Sequence, residues 1–229
     1  APGSYHHSLM VANLAEQAAE NIGANALLTR VGAYYHDVGK IARPYFFSEN
    51  QAEGLNPHDR LDPKTSAEVI VGHVTDGMKL ARRNRLPSRV RAFIPEHHGE
   101  SRVSFLYHKA VQLAGEAELV NEAHFRYPGR KPQSKETALV MLADGCEAAV
   151  RSARPNSGEE VACIVNRVID ERVEDGQLNE SSLTLQDVET VKRVFATALK
   201  GTFHPRIKYP EPMKEDELRD SSSSVQEEA

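Results

Sequence analysis

The chain is most constrained by His36 and Asp37, which sit near the end of a helical-looking run, Ala26 to Val38, directly before Gly39 and Lys40. Leu27, Leu28, Val31, Tyr34 and Tyr35 give that run a mostly buried surface. A histidine beside an aspartate is two metal ligands in a row. The rest of the chain supplies isolated histidines and one aspartate at wide separations, each on its own predicted helix. Such a pattern predicts a helical cage around two metal ions, with His36-Asp37 at its centre.

The surrounding sequence supports an all-α fold. Trp is absent, aromatics are 6% of residues, and Ala, Leu, Val, Glu and Arg are plentiful. Apolar periodicity predicts helices over 5–22, 26–38, from Thr65 or Ser66 to about Asn84, 88–98, 105–120, 135–152, 158–174 and 185–199. Gly23 and Gly99 follow two of these as stops. Between Lys40 and Lys64 the pattern breaks at Pro44, Pro57 and Pro63, around Tyr45-Phe46-Phe47. A loop this long inside a domain is more often functional than idle. Residues 121–134 read as a second polar loop.

Charge divides the chain unevenly. From Glu211 to Ala229 there are seven acids and two bases, whereas residues 1–210 hold 26 of each. We expect a domain over 1–210 and an acidic, Ser-rich, disordered tail over 211–229. The neutral body has no general basic footprint for a nucleic-acid polymer. Cys146 and Cys163 lie in apolar helical stretches without a CxxC partner, and both read as buried reduced thiols. No run of about 18 apolar residues is present to span a membrane, so this stretch reads as soluble.

Seven ligand-type residues lie where helices could converge: His7, His36, Asp37, His73, His97, His98 and Asp144. Asp144 stands in an apolar context, Leu142-Ala143-Asp144-Gly145, where a charge is costly unless it is paired or metal-bound. Imidazole and carboxylate suit Mn, Fe, Co or Zn, with no soft thiolate in the set. Five histidines and two aspartates exceed the needs of one ion, and two ions bridged by Asp37 would use them all.

In this order, H…HD…H…HH…D, the residues resemble the HD superfamily of metal-dependent phosphohydrolases. The stretches PGSYHHSLMVANLAEQAA, YYHDVGKIARPYFFSENQ, NPHDRLDP, HVTDG, HHGE and FRYPGRKPQSKETALVMLADGCEAAVRS look like the cytosolic HD domain of PgpH-type seven-transmembrane HD proteins. That resemblance implies an HD-domain helical bundle, two Fe or Mn ions, and hydrolysis of cyclic-di-AMP to pApA. It also implies a membrane-anchored parent, with this domain at the cytoplasmic face. The family's ligands carry over to the seven residues above, with His7 preferred to His6 because Ser8 follows it. The Gly-Tyr-Pro signature of related cyclic-di-GMP enzymes does not follow His97-His98. Other HD nucleotidases or dNTP hydrolases, and a catalytically silent nucleotide sensor, are the alternatives.

The expected mechanism is attack by a hydroxide held on the two metals, with Asp37 bridging and Lys40 as a fixed cation near the phosphoryl oxygens. Arg43, Asn50, Arg60, Tyr107 and Arg126 are candidates for substrate contacts. Asp76, one helical turn after His73, is a candidate to orient that histidine. Phe46 and Phe47 are expected to anchor the long loop to the core. The second His-Asp pair, His58-Asp59, falls between prolines and is expected to be loop structure.

Overall fold

The computed structural model describes residues 1–51 and 56–202; the acidic segment and part of the long loop lie outside them. The described elements are helices and short 3-10 turns, with one isolated antiparallel bridge between Arg102 and Arg126. The helices are α1 Pro2–Asn21, α2 Ala26–Tyr35, α3 Pro63–Arg83, α4 Ser88–Arg91, α5 Phe93–Glu96, α6 Ser104–Ala114, α7 Lys135–Ala153, α8 Gly158–Glu174 and α9 Leu185–Thr202. The all-α expectation holds.

Local chemistry explains where the helices begin and end. Asp62 caps α3 by accepting from Thr65 N, and Pro63 fits the first turn, so α3 starts ahead of the expected Thr65 or Ser66. The single helix expected over 88–98 is two short ones, α4 and α5. Pro95, inside this stretch, has no N–H to continue a helical ladder. α6 stops at Ala114 rather than near Val120, because Gly115 takes a φ of 85°. α2 gives way after Tyr35 to a 3-10 turn over Val38–Ala42, so the His-Asp pair lies at the join. Three more such turns, Pro44–Phe46, Ser48–Asn50 and Pro57–Arg60, fold the long loop.

The main core joins α1, α2, α7, α8 and α9. Val11, Ala15, Ala18 and Ala19 of α1 meet Leu139, Leu142 and Cys146 of α7, and Val165, Ile169, Val191 and Phe195 close the far side. The small residues on α1 let α2 and α7 pack against it closely. A second cluster, Ala67, Leu106 and Phe125, ties α3 to α6, and a third, Val74, Ala81 and Ile94, ties α3 to α5. The junction of α1, α2, α3, α5 and α7 lies between these clusters. Cys146 is buried, but Cys163 is exposed, on the side of α8 away from Val161, Val165 and Ile169, which corrects its expected burial. No described helix is long and apolar enough to cross a membrane.

Candidate metal centre

At that junction the structure gathers all seven ligand-type residues. They fall into two groups of four, His7, His36, Asp37 and Asp144, and Asp37, His73, His97 and His98, with the ligand atoms of each group within 4.8 Å of one another. Asp37 belongs to both. Its Oδ2 lies 3.3 Å from His36 Nε2 and 3.6 Å from His7 Nε2, and its Oδ1 lies 3.3 Å from His73 Nε2 and 3.6 Å from His97 Nε2. Asp144 Oδ1 is 3.0 Å from His7 Nε2, and its Oδ2 is 3.7 Å from His98 Nδ1. His6, the alternative to His7, is exposed.

The burial of this set needs an explanation. His36, His73 and His97 are at most 2% exposed and Asp37 is 3% exposed. Asp37 Oδ1 and His36 Nε2 are buried without a hydrogen-bond partner, while Asp37 Oδ2 faces the Lys40 ammonium. A buried polar atom left unpaired costs about 1–3 kcal/mol, and such atoms gathered with the imidazole nitrogens of the two ligand groups fit divalent cations. The donor set is the imidazole and carboxylate that such cations take. The cluster therefore supports divalent metal use.

Each helix aims its histidine through a local bond. His36 Nδ1 donates to Ala33 O at 2.6 Å, His73 Nδ1 to Ile70 O at 2.6 Å, and His97 Nδ1 to Ile94 O at 2.8 Å. Each bond turns Nε2 toward Asp37. Asp76 does not orient His73 as expected; it pairs with Arg43, and the Ile70 carbonyl does that work. His98 stacks on Tyr127 with ring centroids 4.0 Å apart. Gly99, at a φ of 54°, turns the chain away after the double histidine. Gln177 Oε1 then accepts from Glu100 N at 3.1 Å.

Electrostatics follow from this crowding. Burial opposes the charge on Asp37, but the Lys40 ammonium and then His36 outweigh it and hold the carboxyl well below its usual range. Burial also opposes the charge on Lys40, and Asp37 and Glu49 overcome it and raise its pKa. Lys40 Nζ lies 2.6 Å from Asp37 Oδ2 and 3.0 Å from Glu49 Oε1. Burial lowers His73 to about 4. His7 goes the other way: hydrogen bonds to Asp144 and Glu147 exceed its burial cost and raise it to about 10.

A cleft of 370 Å³ opens onto the cluster, lined by His7, Lys40, His73, His98 and Asp144 together with Phe46, Phe47, His58, Phe105, Tyr127 and Arg151. The five expected substrate contacts are not in this lining. Arg43 pairs with Asp76 and faces a separate 510 Å³ recess, which holds none of the seven residues. Asn50 Oδ1 accepts from Gly3 N at 3.0 Å and Ser4 N at 3.2 Å, capping α1. Arg60 is exposed at the end of the Pro57–Arg60 turn. Tyr107 lies under the Arg102 guanidinium at 4.3 Å, and Arg126 binds Glu122 and the Glu100 carbonyl. Phe47 is buried against His73 and Lys40, while Phe46 packs on His58, so only Phe47 anchors the loop inward as expected. His58 is loop structure, held by the Phe46 carbonyl at 2.8 Å. Glu147 and Arg151 were not foreseen; their signal was the spacing of 144, 147 and 151 along one face of α7.

A buried HD pair between two histidine-rich ligand groups on an all-helical frame defines an HD domain, and residues 4–149 match the HD-domain family. The chain belongs to that family. It is 46% identical over 93% of its length to the cyclic-di-AMP phosphodiesterase PgpH of Bacillus subtilis, covering 30% of that protein, and 43% identical over 92% to PgpH of Listeria monocytogenes, covering 29%. The chain thus spans about 30% of the length of these curated relatives. The crystal structure of the L. monocytogenes PgpH HD domain in complex with cyclic-di-AMP superposes with a TM-score of 0.85 at 42% identity, over 89% of this chain and 94% of that one.

Proposed function

We propose that this HD domain is a metal-dependent phosphodiesterase that opens cyclic-di-AMP to pApA. The observation that carries the reading is the pair of ligand groups sharing the buried Asp37, with His7, His73, His98 and Asp144 lining a 370 Å³ cleft. The similarity to an HD domain that binds cyclic-di-AMP supports the choice of nucleotide. His7, His36, Asp37 and Asp144 would hold one divalent cation, and Asp37, His73, His97 and His98 the other. Bound there, the cations supply Lewis acidity toward phosphoryl oxygens and lower the pKa of water.

The protein's own residues do the rest. Lys40 keeps its proton between Asp37 and Glu49, which fixes a positive charge at the cleft floor where charge builds on the phosphoryl oxygens. The backbone carbonyls behind His36, His73 and His97 hold the rings before substrate arrives, so no reorganisation is needed at the moment of reaction. Phe47 and Tyr127 wall the cluster with rings, against His73 and His98 respectively.

The thiolate-free donor set accommodates iron or manganese, the ions that the family resemblance implies. The resemblance to PgpH-type seven-transmembrane HD proteins supports a membrane-anchored parent, with this domain, 1–210 followed by an acidic tail at 211–229, at its cytoplasmic face. Incubation with Mn²⁺ and cyclic-di-AMP tests the activity by chromatography. We expect pApA from the natural sequence and none from Asp37→Ala. A protein shown to bind Mn²⁺ that yields no pApA overturns the reading.

A further inference from the structure

Four buried histidines belong to the two ligand groups. Three of them, His36, His73 and His97, give their Nδ1–H to a backbone carbonyl on the preceding turn. His7 differs. Its Nδ1–H donates to Glu147 Oε2 at 2.5 Å, a side chain three residues beyond Asp144 on α7. Glu147 is 4% exposed. Its other hydrogen-bond partner among the described residues is Arg151 Nε, at 3.1 Å from Oε1, one turn further along. Arg151 lines the cleft with its side chain 35% exposed.

We propose that Glu147 is a positioning residue that holds the His7 ring with Nε2 facing Asp37 and Asp144, and that Arg151 fixes Glu147 for that task. An i,i+4 Arg–Glu pair on a helix is ordinarily a weak surface contact. This one has its carboxylate inside the protein, against a ligand-type histidine. A backbone carbonyl is neutral and moves only with its helix. An ionised carboxylate makes the stronger hydrogen bond and makes the imidazole a better donor. The ring of His7 is therefore held by side chains that reach the cleft, whereas the rings of His36, His73 and His97 rest on backbone carbonyls. One helix, α7, carries the ligand-type Asp144, the residue that aims its neighbour His7, and the cation that anchors that residue.

This inference rests on the proposed cation-binding role of the two groups and not on the identity of the nucleotide. Calorimetric titration with Mn²⁺ alone tests it, using the chain with its natural sequence, Glu147→Gln and Glu147→Ala. The natural sequence should show two binding events. Glu147→Ala should weaken one of them by about 10–100-fold and leave the other within about threefold. Glu147→Gln keeps the shape and an acceptor oxygen without the charge and should fall between; it decides the matter should Glu147→Ala fail to fold in a metal-free thermal melt. Two unchanged events in Glu147→Gln and Glu147→Ala, or equal weakening of both, overturns the inference. Absence of Mn²⁺ binding by the natural sequence would instead overturn the proposed function, and this inference with it.

Discussion

Gly39 packs so closely on α3 that a Cβ there would overlap the carbonyl oxygen of His73. The residue after the HD pair and its hydrophobic neighbour thus has to be the smallest one, since it brings the Val38–Ala42 turn, and Asp37 and Lys40 with it, onto the helix that carries His73. Gly39→Ala should cost about 1–3 kcal/mol by forcing the two apart, read as a lower urea midpoint with an unchanged slope. At this scale much was legible in advance. Histidine and aspartate inside apolar helical sequence are few, and burying them needs a reason, so the seven gathered residues could be named. Glu147 could not, because a glutamate on a helix is ordinarily a solvated one, and only the fold shows which face of α7 meets α1. The cleft residues were illegible for another reason: loop side chains follow turn geometry, so Arg43 and Asn50 found partners that no spacing rule could supply.

Between elements, the long loop and α1 hold each other. Asn50 caps the first turn of α1 through Gly3 N and Ser4 N, and Glu49 accepts from Ser4 Oγ at 2.9 Å while also binding Lys40. The helix that carries His7 is thereby fastened to the turn that carries Lys40. Asn50→Ala should lower stability by about 1 kcal/mol, the usual worth of a capping side chain. A substrate contact would instead raise KM with stability unchanged, so a melt and a kinetic assay on one variant separate the two roles. Helix existence was readable from periodicity throughout, and helix ends less so. Asp62 replaced the expected cap because Pro63 favours the first helical turn, and the 88–98 helix broke in two around Pro95. Those ends matter, because His97 and His98 sit just beyond the second short helix.

Across the whole molecule, the seven residues bring together segments from His7 to Asp144, and three separate hydrophobic clusters hold those segments in place. Asp37 Oδ1 and His36 Nε2 are buried without a hydrogen-bond partner, a cost to the folded chain that a bound cation would relieve. Cation binding should therefore stabilise the folded chain. Mn²⁺ at 100 times its dissociation constant should raise Tm by about 5–10 °C per site, and excess chelator should reverse it, as read by a thermal melt. The order of the residues along the chain has a consequence for synthesis. The group of Asp37, His73, His97 and His98 is complete once residue 98 has been made, but the group of His7, His36, Asp37 and Asp144 waits for α7. A nascent chain therefore has one set of ligands in hand long before the other. The second set comes together only when α7 lands on α1, so on the proposed reading occupancy of both groups would mark a chain whose translation has passed its main core helix.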